Sequence, residues 1–219
     1  MPPKPKHSKE EIIDTALDII RTDGIEAITA QEIANRLGTS TRPMFTYFAT
    51  VEELRSAAYV RAMELYESYA HRGLAMNPPY KGYAMEYVRF AAEEPNLYRL
   101  LFMQPEDSES FRKYTTHTWN RHLFEVKKVI RDNFGLTEEQ SDWLHETLGF
   151  HSYGLASMCA CGIIDFDEQR ISEQFGAIFR ALVIYLNAPK DERTRIIPAK
   201  DAVIPGGMTD YFRLQSDKG

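Results

Sequence analysis

The chain has 219 residues, 43% of them hydrophobic and 26% charged, a globular composition sufficient for one large domain or two small ones. A formal net charge of -6 excludes a protein that coats nucleic acid through a broad cationic surface, so any DNA contact has to be local. No apolar run reaches the roughly 18 residues of a membrane span, and Met1-Pro-Pro-Lys-Pro-Lys6 lacks the apolar stretch of a secretory signal, so a soluble, cytoplasmic protein without a membrane partner is expected.

Hydrophobic residues recur with helical period almost throughout, and the helix starts are well marked. Ser8-Lys-Glu-Glu11, Thr29-Ala-Gln-Glu32 and Thr50-Val-Glu-Glu53 each place a hydroxyl three residues before a glutamate, the spacing of a reciprocal capping box. From Ser8 the positions Ile12, Ile13, Ala16, Leu17, Ile19 and Ile20 form one stripe, which Gly24 ends. A short helix follows from Thr29 to Leu37, with Ile33, Ala34 and Leu37 inward and Gly38 closing it. Ser40 is then predicted to cap a second short helix, Thr41 to Phe48, with Met44, Phe45 and Phe48 facing the core and Pro43 in its tolerant first turn. Thr50 opens a longer helix to about Tyr69 or His71, and Gly73, Asn77, Pro78 and Pro79 mark a break.

Further helices are expected at about Tyr80 to Glu93, Pro95 to Met103, Ser110 to Asn133, Thr137 to Cys161 and Glu168 to Leu186, with a fourth box at Thr137-Glu-Glu-Gln140. No stretch alternates with period two for long enough to be a strand. The fold class is all-α. The predicted layout is an N-terminal arm and helix-turn-helix over 1–54, a larger helical domain over 55–189, and an irregular tail over 190–219.

Two short helices joined by Gly38-Thr39-Ser40 and buttressed by a longer one are the arrangement of a helix-turn-helix. Its second helix has to be slim and protruding to present its N-terminal side chains to the major groove. The residues there not needed for the core are Thr41, Arg42, Pro43, Thr46 and Tyr47, beside the cap Ser40. Arg42 can pair with a guanine edge, Thr41 and Thr46 can meet bases, and the Tyr47 hydroxyl suits a phosphate. Thr29 and Thr50 add helix-start contacts, and Lys4, Lys6 and Lys9, with His7 among them, form a basic arm. Residues 1–60 hold seven lysines and arginines against nine acidic residues, so the grip on double-stranded DNA is narrow and strongly salt dependent.

Residues 9 to 60 resemble the DNA-binding domain of the tetracycline-repressor (TetR/AcrR) family. The resemblance lies in Ile12-Ile-Asp-Thr-Ala16, Gly24-Ile25, Thr29-Ala-Gln-Glu-Ile-Ala34, Leu37-Gly-Thr-Ser40, Met44-Phe-Thr-Tyr-Phe48 and Glu52-Glu-Leu54. Thr39 and Val51 stand where members of that family often carry an aliphatic residue and a lysine, and Arg42 stands where they often carry a small one. The resemblance implies a homodimeric repressor that binds an inverted-repeat operator and is released by a small molecule. It also implies that the last two long helices form the dimer surface.

On those helices Trp143, Thr147, Phe150, Gly154, Met158 and Cys161 recur on one face, and Phe175, Ile178, Phe179, Leu182 and Leu186 on the other helix. Aromatic residues of the middle helices suit an apolar or aromatic ligand, with Tyr83, Tyr87, Phe90, Phe102, Trp119, Phe150 and Tyr153 as candidate lining. His117, His122, His145 and His151 could orient a polar group on it.

Two other readings stand beside this one. His145, His151, Cys159 and Cys161 could be imagined as a metal or thiol site. A Cys-x-Cys pair on a helix, however, points its thiols about 200° apart, and no phosphate loop or zinc-protease pattern is present, so no metal, cofactor or enzymatic activity is expected. The acidic balance leaves room for a helical interaction module with weak or lost DNA binding.

Overall fold

The computed structural model describes residues 7–103 and 126–188. Lys4, Lys6, His117, Trp119, His122 and the 190–219 tail lie outside the described residues. Within them the chain is all-α: α1 (Lys9–Asp23), α2 (Ala30–Leu37), α3 (Arg42–Tyr47), α4 (Val51–Leu74), α5 (Pro79–Glu93), α6 (Pro95–Phe102), α7 (126–134), α8 (Glu138–Ala160) and α9 (Glu168–Asn187). A single 3-10 turn, Ile25–Ala27, joins α1 to α2. The chain divides into two compact units, Met1–Ala181 and Leu182–Gly219. The described part of the second unit holds a buried Leu186 and exposed Ile184 and Tyr185.

The boxes at Ser8 and Thr137 close reciprocally. The Ser8 hydroxyl accepts from the Glu11 amide at 3.1 Å while the Glu11 carboxylate accepts from the Ser8 amide at 2.9 Å. Thr29 and Thr50 make half a box each. Their hydroxyls accept from the Glu32 and Glu53 amides, but the Glu32 carboxylate turns to Arg36 at 2.8 Å and that of Glu53 takes the Ala49 amide at 2.7 Å. Gly38, at a φ of 59°, supplies the left-handed residue that ends α2.

Helix α3 departs from its sequence prediction in two ways. No side chain caps it: Thr41, not Ser40, holds the cap position, in helical rather than extended geometry, and Pro43 lacks the N–H that a cap would meet. Phe45 is 52% exposed rather than buried. In six residues Met44 and Phe48, four apart, use up the inward stripe, and Phe45 lies about 100° away from Met44. Helices this short are marginal alone. Burial of Ile12, Ile19, Ile20, Ile28 and Ile33, worth roughly 1.5–3 kcal/mol each, holds them in place.

That core does not stop at the helix-turn-helix. It runs without a break from Ile12, Ile33 and Met44 through Leu54 and Tyr66 to Phe90, Tyr98 and Phe175. Gly73, predicted to mark the break after α4, instead lies inside it and is buried against the backbone of Gly82 on α5.

Candidate functional site

The electrostatics of the helix-turn-helix follow from which arginines are already engaged. Arg21 pairs with Asp18 and Glu94, Arg36 with Asp23 and Glu32, Arg55 with Glu26 and Glu52, and Arg61 with Asp14 and Glu64. Arg42, exposed at the start of α3, makes no ion pair among the described residues. Much of the domain's acidic charge is therefore held in structural pairs, and Arg42 stands exposed at the start of α3 outside them.

Beside Arg42 lie exposed Ser40, Phe45 and Thr46 and half-buried Thr41 and Pro43. Phe45 is the residue that the sequence reading missed on this face, and the shortness of α3 was the signal for it. The Tyr47 hydroxyl donates to the His7 carbonyl at 3.2 Å, which ties α3 to the chain just before α1. The Lys9 ammonium lies 5.4 Å from the centre of the Phe48 ring. Thr29 and Thr50 are exposed at the N-termini of α2 and α4, where unpaired amides and the helix dipole favour phosphate.

Three arginines fasten this module to the helices beyond it. Arg21 on α1 forks onto Glu94 at the α5–α6 junction, its Nε and Nη2 each within 2.9 Å of a carboxylate oxygen. This bonding raises the Arg21 pKa further, so its guanidinium stays charged. The Asn96 amide donates to the Arg21 carbonyl at 2.7 Å, so α6 grips the backbone of α1 as well. From α4, Arg61 reaches Asp14 at 3.2 Å, and Arg55 donates to the carbonyls of Glu26 and Ile28.

Helices α4 to α8 enclose a cavity of about 810 Å³. Tyr83, Tyr87, Phe102, Phe150 and Tyr153 of the expected lining are in its wall. Phe90 is not: it is fully buried on another face of α5, edge-on to Tyr66 and Tyr69 of α4, so it belongs to the core. The wall adds Met63 and Tyr66 from α4, Tyr80 from α5, Lys127 from α7 and Trp143, His145 and Glu146 from α8. The spacing of Tyr80, Tyr83 and Tyr87 along one helix face was a legible sign.

The phenols bond one another, Tyr66 to Tyr83 at 3.3 Å and Tyr87 to Tyr98 at 3.2 Å. Burial pushes the pKa of Tyr66, Tyr80, Tyr83 and Tyr87 up, so these hydroxyls stay neutral. Burial first, and Lys127 second, push His145 down. Lys127 itself pairs with Asp142 at 2.8 Å.

Residues 12–58 match the profile of the bacterial regulatory proteins of the tetR family. The chain carries the DNA-binding domain of the tetR family. It is 24% identical over 194 residues to an uncharacterized HTH-type transcriptional regulator of Mycobacterium tuberculosis, across 86% of this chain and 84% of that one. Its fold is similar to that of a TetR-like transcriptional regulator from Rhodococcus sp. RHA1, with a TM-score of 0.59 at 13% identity over 80% of this chain and 92% of the other.

The proposed dimer residues of α8 lie on one open face: Trp143, Phe150 (72% exposed), Gly154 and Met158. Two of the α9 residues are corrected. Phe175 is buried, edge-on to His151, and Phe179 is half-buried against Phe134 and Tyr80, because that stripe of α9 packs inside its own subunit. Leu182 is half-buried and Leu186 buried. Cys159 is buried, but Cys161 is exposed rather than a core residue, as their separation around the helix requires. Among the described residues no cluster of His, Cys, Asp or Glu could hold a metal ion, and no helix is long and apolar enough to cross a membrane.

Burial holds both His145 and His151 below the ordinary imidazole value of 6.5, so the unfolded chain binds more protons than the folded one as pH falls below that value. Stability is therefore lost on acidification through 6.5 and levels off once the folded histidines titrate. His145 faces Tyr80, Lys127 and Asp142. Urea midpoints at about pH 7.5 and about pH 5.5 should differ less in His145→Gln than in the parent chain. An equal difference would remove His145 from the account.

Proposed function

We propose that the protein is a repressor that binds an inverted-repeat operator as a homodimer and is released by a small molecule held in the inner cavity. It is a regulator rather than an enzyme, works in the cytoplasm, and divides functionally into DNA-binding (1–54), ligand-binding and dimerisation (55–189) and tail (190–219) segments. One observation carries this reading: the helices that wall the cavity are also the helices that anchor the helix-turn-helix. Met63 and Tyr66 of α4 and Phe102 of α6 line the cavity, while Arg61 of α4 and Asn96 of α6 hold α1. A ligand that displaces α4 or α6 therefore shifts the recognition helix through fixed bonds rather than through flexible chain.

The mechanism is a population shift. Two subunits present two α3 helices, and the DNA-binding state is the one in which their separation matches one groove turn, about 34 Å, or a multiple of it. A ligand that binds the other state more tightly depopulates the first, by no more than its differential affinity allows. The exposed α8 face around Gly154, with Trp143, Phe150 and Met158, is the proposed subunit contact.

The test is selection of duplexes from a random pool by the purified chain at low salt, with sedimentation to give the oligomeric state. A palindromic consensus bound by a dimer is expected, and Phe150→Glu with Met158→Glu should leave a folded monomer with weakened binding. Failure to enrich any sequence would overturn the repressor reading in favour of a helical interaction module.

A further inference from the structure

We propose that the cavity is built for an organic cation with an aromatic or apolar body, an inference that rests on the cavity being the regulatory ligand site. Among the described residues of its wall the charges are few and unbalanced. Lys127 is neutralised by Asp142 at 2.8 Å, His145 is kept uncharged by burial, and the tyrosines are neutral. That leaves Glu146, which lines the cavity and makes no ion pair among the described residues, as the charge an incoming ligand meets.

An anion would face Glu146 and find Lys127, the one lysine or arginine among the described residues of the wall, already paired. A polyhydroxylated neutral molecule would find phenols that already bond one another, Tyr66 with Tyr83 and Tyr87 with Tyr98. A cation meets what remains. Tyr80, Tyr83 and Tyr87 of α5 and Trp143, Phe150 and Tyr153 of α8 line the space, so two helices supply aromatic rings to it. The negative faces of such rings attract a cation, by about 2- to 30-fold in affinity per ring according to how far it is desolvated. Glu146, exposed on α8 between Trp143 and Phe150 in sequence, adds a carboxylate to the wall. A volume of about 810 Å³ admits a body of several rings.

Tetraphenylphosphonium and tetraphenylborate have nearly the same shape and opposite charge, so calorimetric titration of the full chain with each isolates the sign of the charge. The phosphonium should bind at least about tenfold more tightly than the borate. Glu146→Gln should weaken the phosphonium about 3- to 10-fold without weakening the borate. Glu139→Gln, the same charge change outside the cavity wall, should alter neither. Equal or tighter binding of the borate, no binding of the phosphonium, or indifference to Glu146→Gln would overturn the proposal.

A second arm separates it from the reading on which it rests. The phosphonium is added to the complex with a selected duplex. Selective binding without release of DNA would keep the cation site and overturn ligand-controlled release. Release by the borate instead would keep ligand control and overturn the cation.

Discussion

Arg42→Ala is expected to weaken binding to a selected duplex by about 5- to 150-fold, the 1 to 3 kcal/mol of a strong base contact. Four other arginines of the first 61 residues are tied to carboxylates, and Arg42 stands exposed at the first position of the helix that protrudes. Loss of a residue that supports no neighbour should leave stability almost unchanged, so a fall in affinity reports on DNA directly. The salt dependence then identifies the contact. If Arg42 reads a base, its removal relaxes preference at one operator position and leaves the slope of affinity against salt nearly intact. If it grips a phosphate, the slope falls by about one and preference is kept. Fluorescence anisotropy of parent and variant across a salt series measures both. Unchanged affinity at every salt concentration would mean that α3 does not read DNA through its N-terminal end.

Gly73→Ala is the second large effect, and here two physical terms oppose each other. Alanine in place of glycine inside a helix ordinarily gains up to about 1 kcal/mol. At position 73, however, the new methyl would lie 2.6 Å from the Gly82 carbonyl oxygen, which belongs to backbone and cannot swing aside. Relief requires α4 and α5 to separate at a crossing that the buried carboxylate of Glu86 also fastens, through Arg72 of α4. Crowding of this kind costs about 1–3 kcal/mol or more, and it wins. Urea denaturation should show the loss, and Gly82→Ala should reproduce it from the other side. Gly149→Ala on α8, where nothing lies within 4 Å of an added methyl, should instead be neutral or gain up to about 1 kcal/mol. Stabilisation by Gly73→Ala would show that the two helices can part at no cost.

The same glycine shows where sequence reasoning stops. Helix starts were legible because Ser8, Thr29, Thr50 and Thr137 carry their own hydrogen-bond acceptors, a local signal that needs no knowledge of neighbours. A glycine in a helix has two physical uses, to end it or to let another backbone approach, and both look alike until the second backbone is in place. Likewise Phe90 and Phe175 fall on apolar stripes, and periodicity gives a stripe without saying whether a core, a cavity or a partner covers it. Phe45 failed for a different reason: a helix of six residues has too little inward surface for three large side chains, and length was the least certain part of that prediction. The ion pairs that join α1 to α4 and α6, such as Arg21 with Glu94, span 73 residues and leave no trace in local spacing.

Arg42, Phe45 and Thr46 share an exposed face of α3, while Met44, Tyr47 and Phe48 secure that helix to the core. Substitutions on the outer face can therefore accumulate with little cost to folding, and on the proposed reading of α3 each one changes which bases are preferred. Under that proposal, operators in lineages descended from such a chain are free to diverge ahead of the scaffold, and a laboratory can rewrite the target in three codons while leaving the inner cavity untouched.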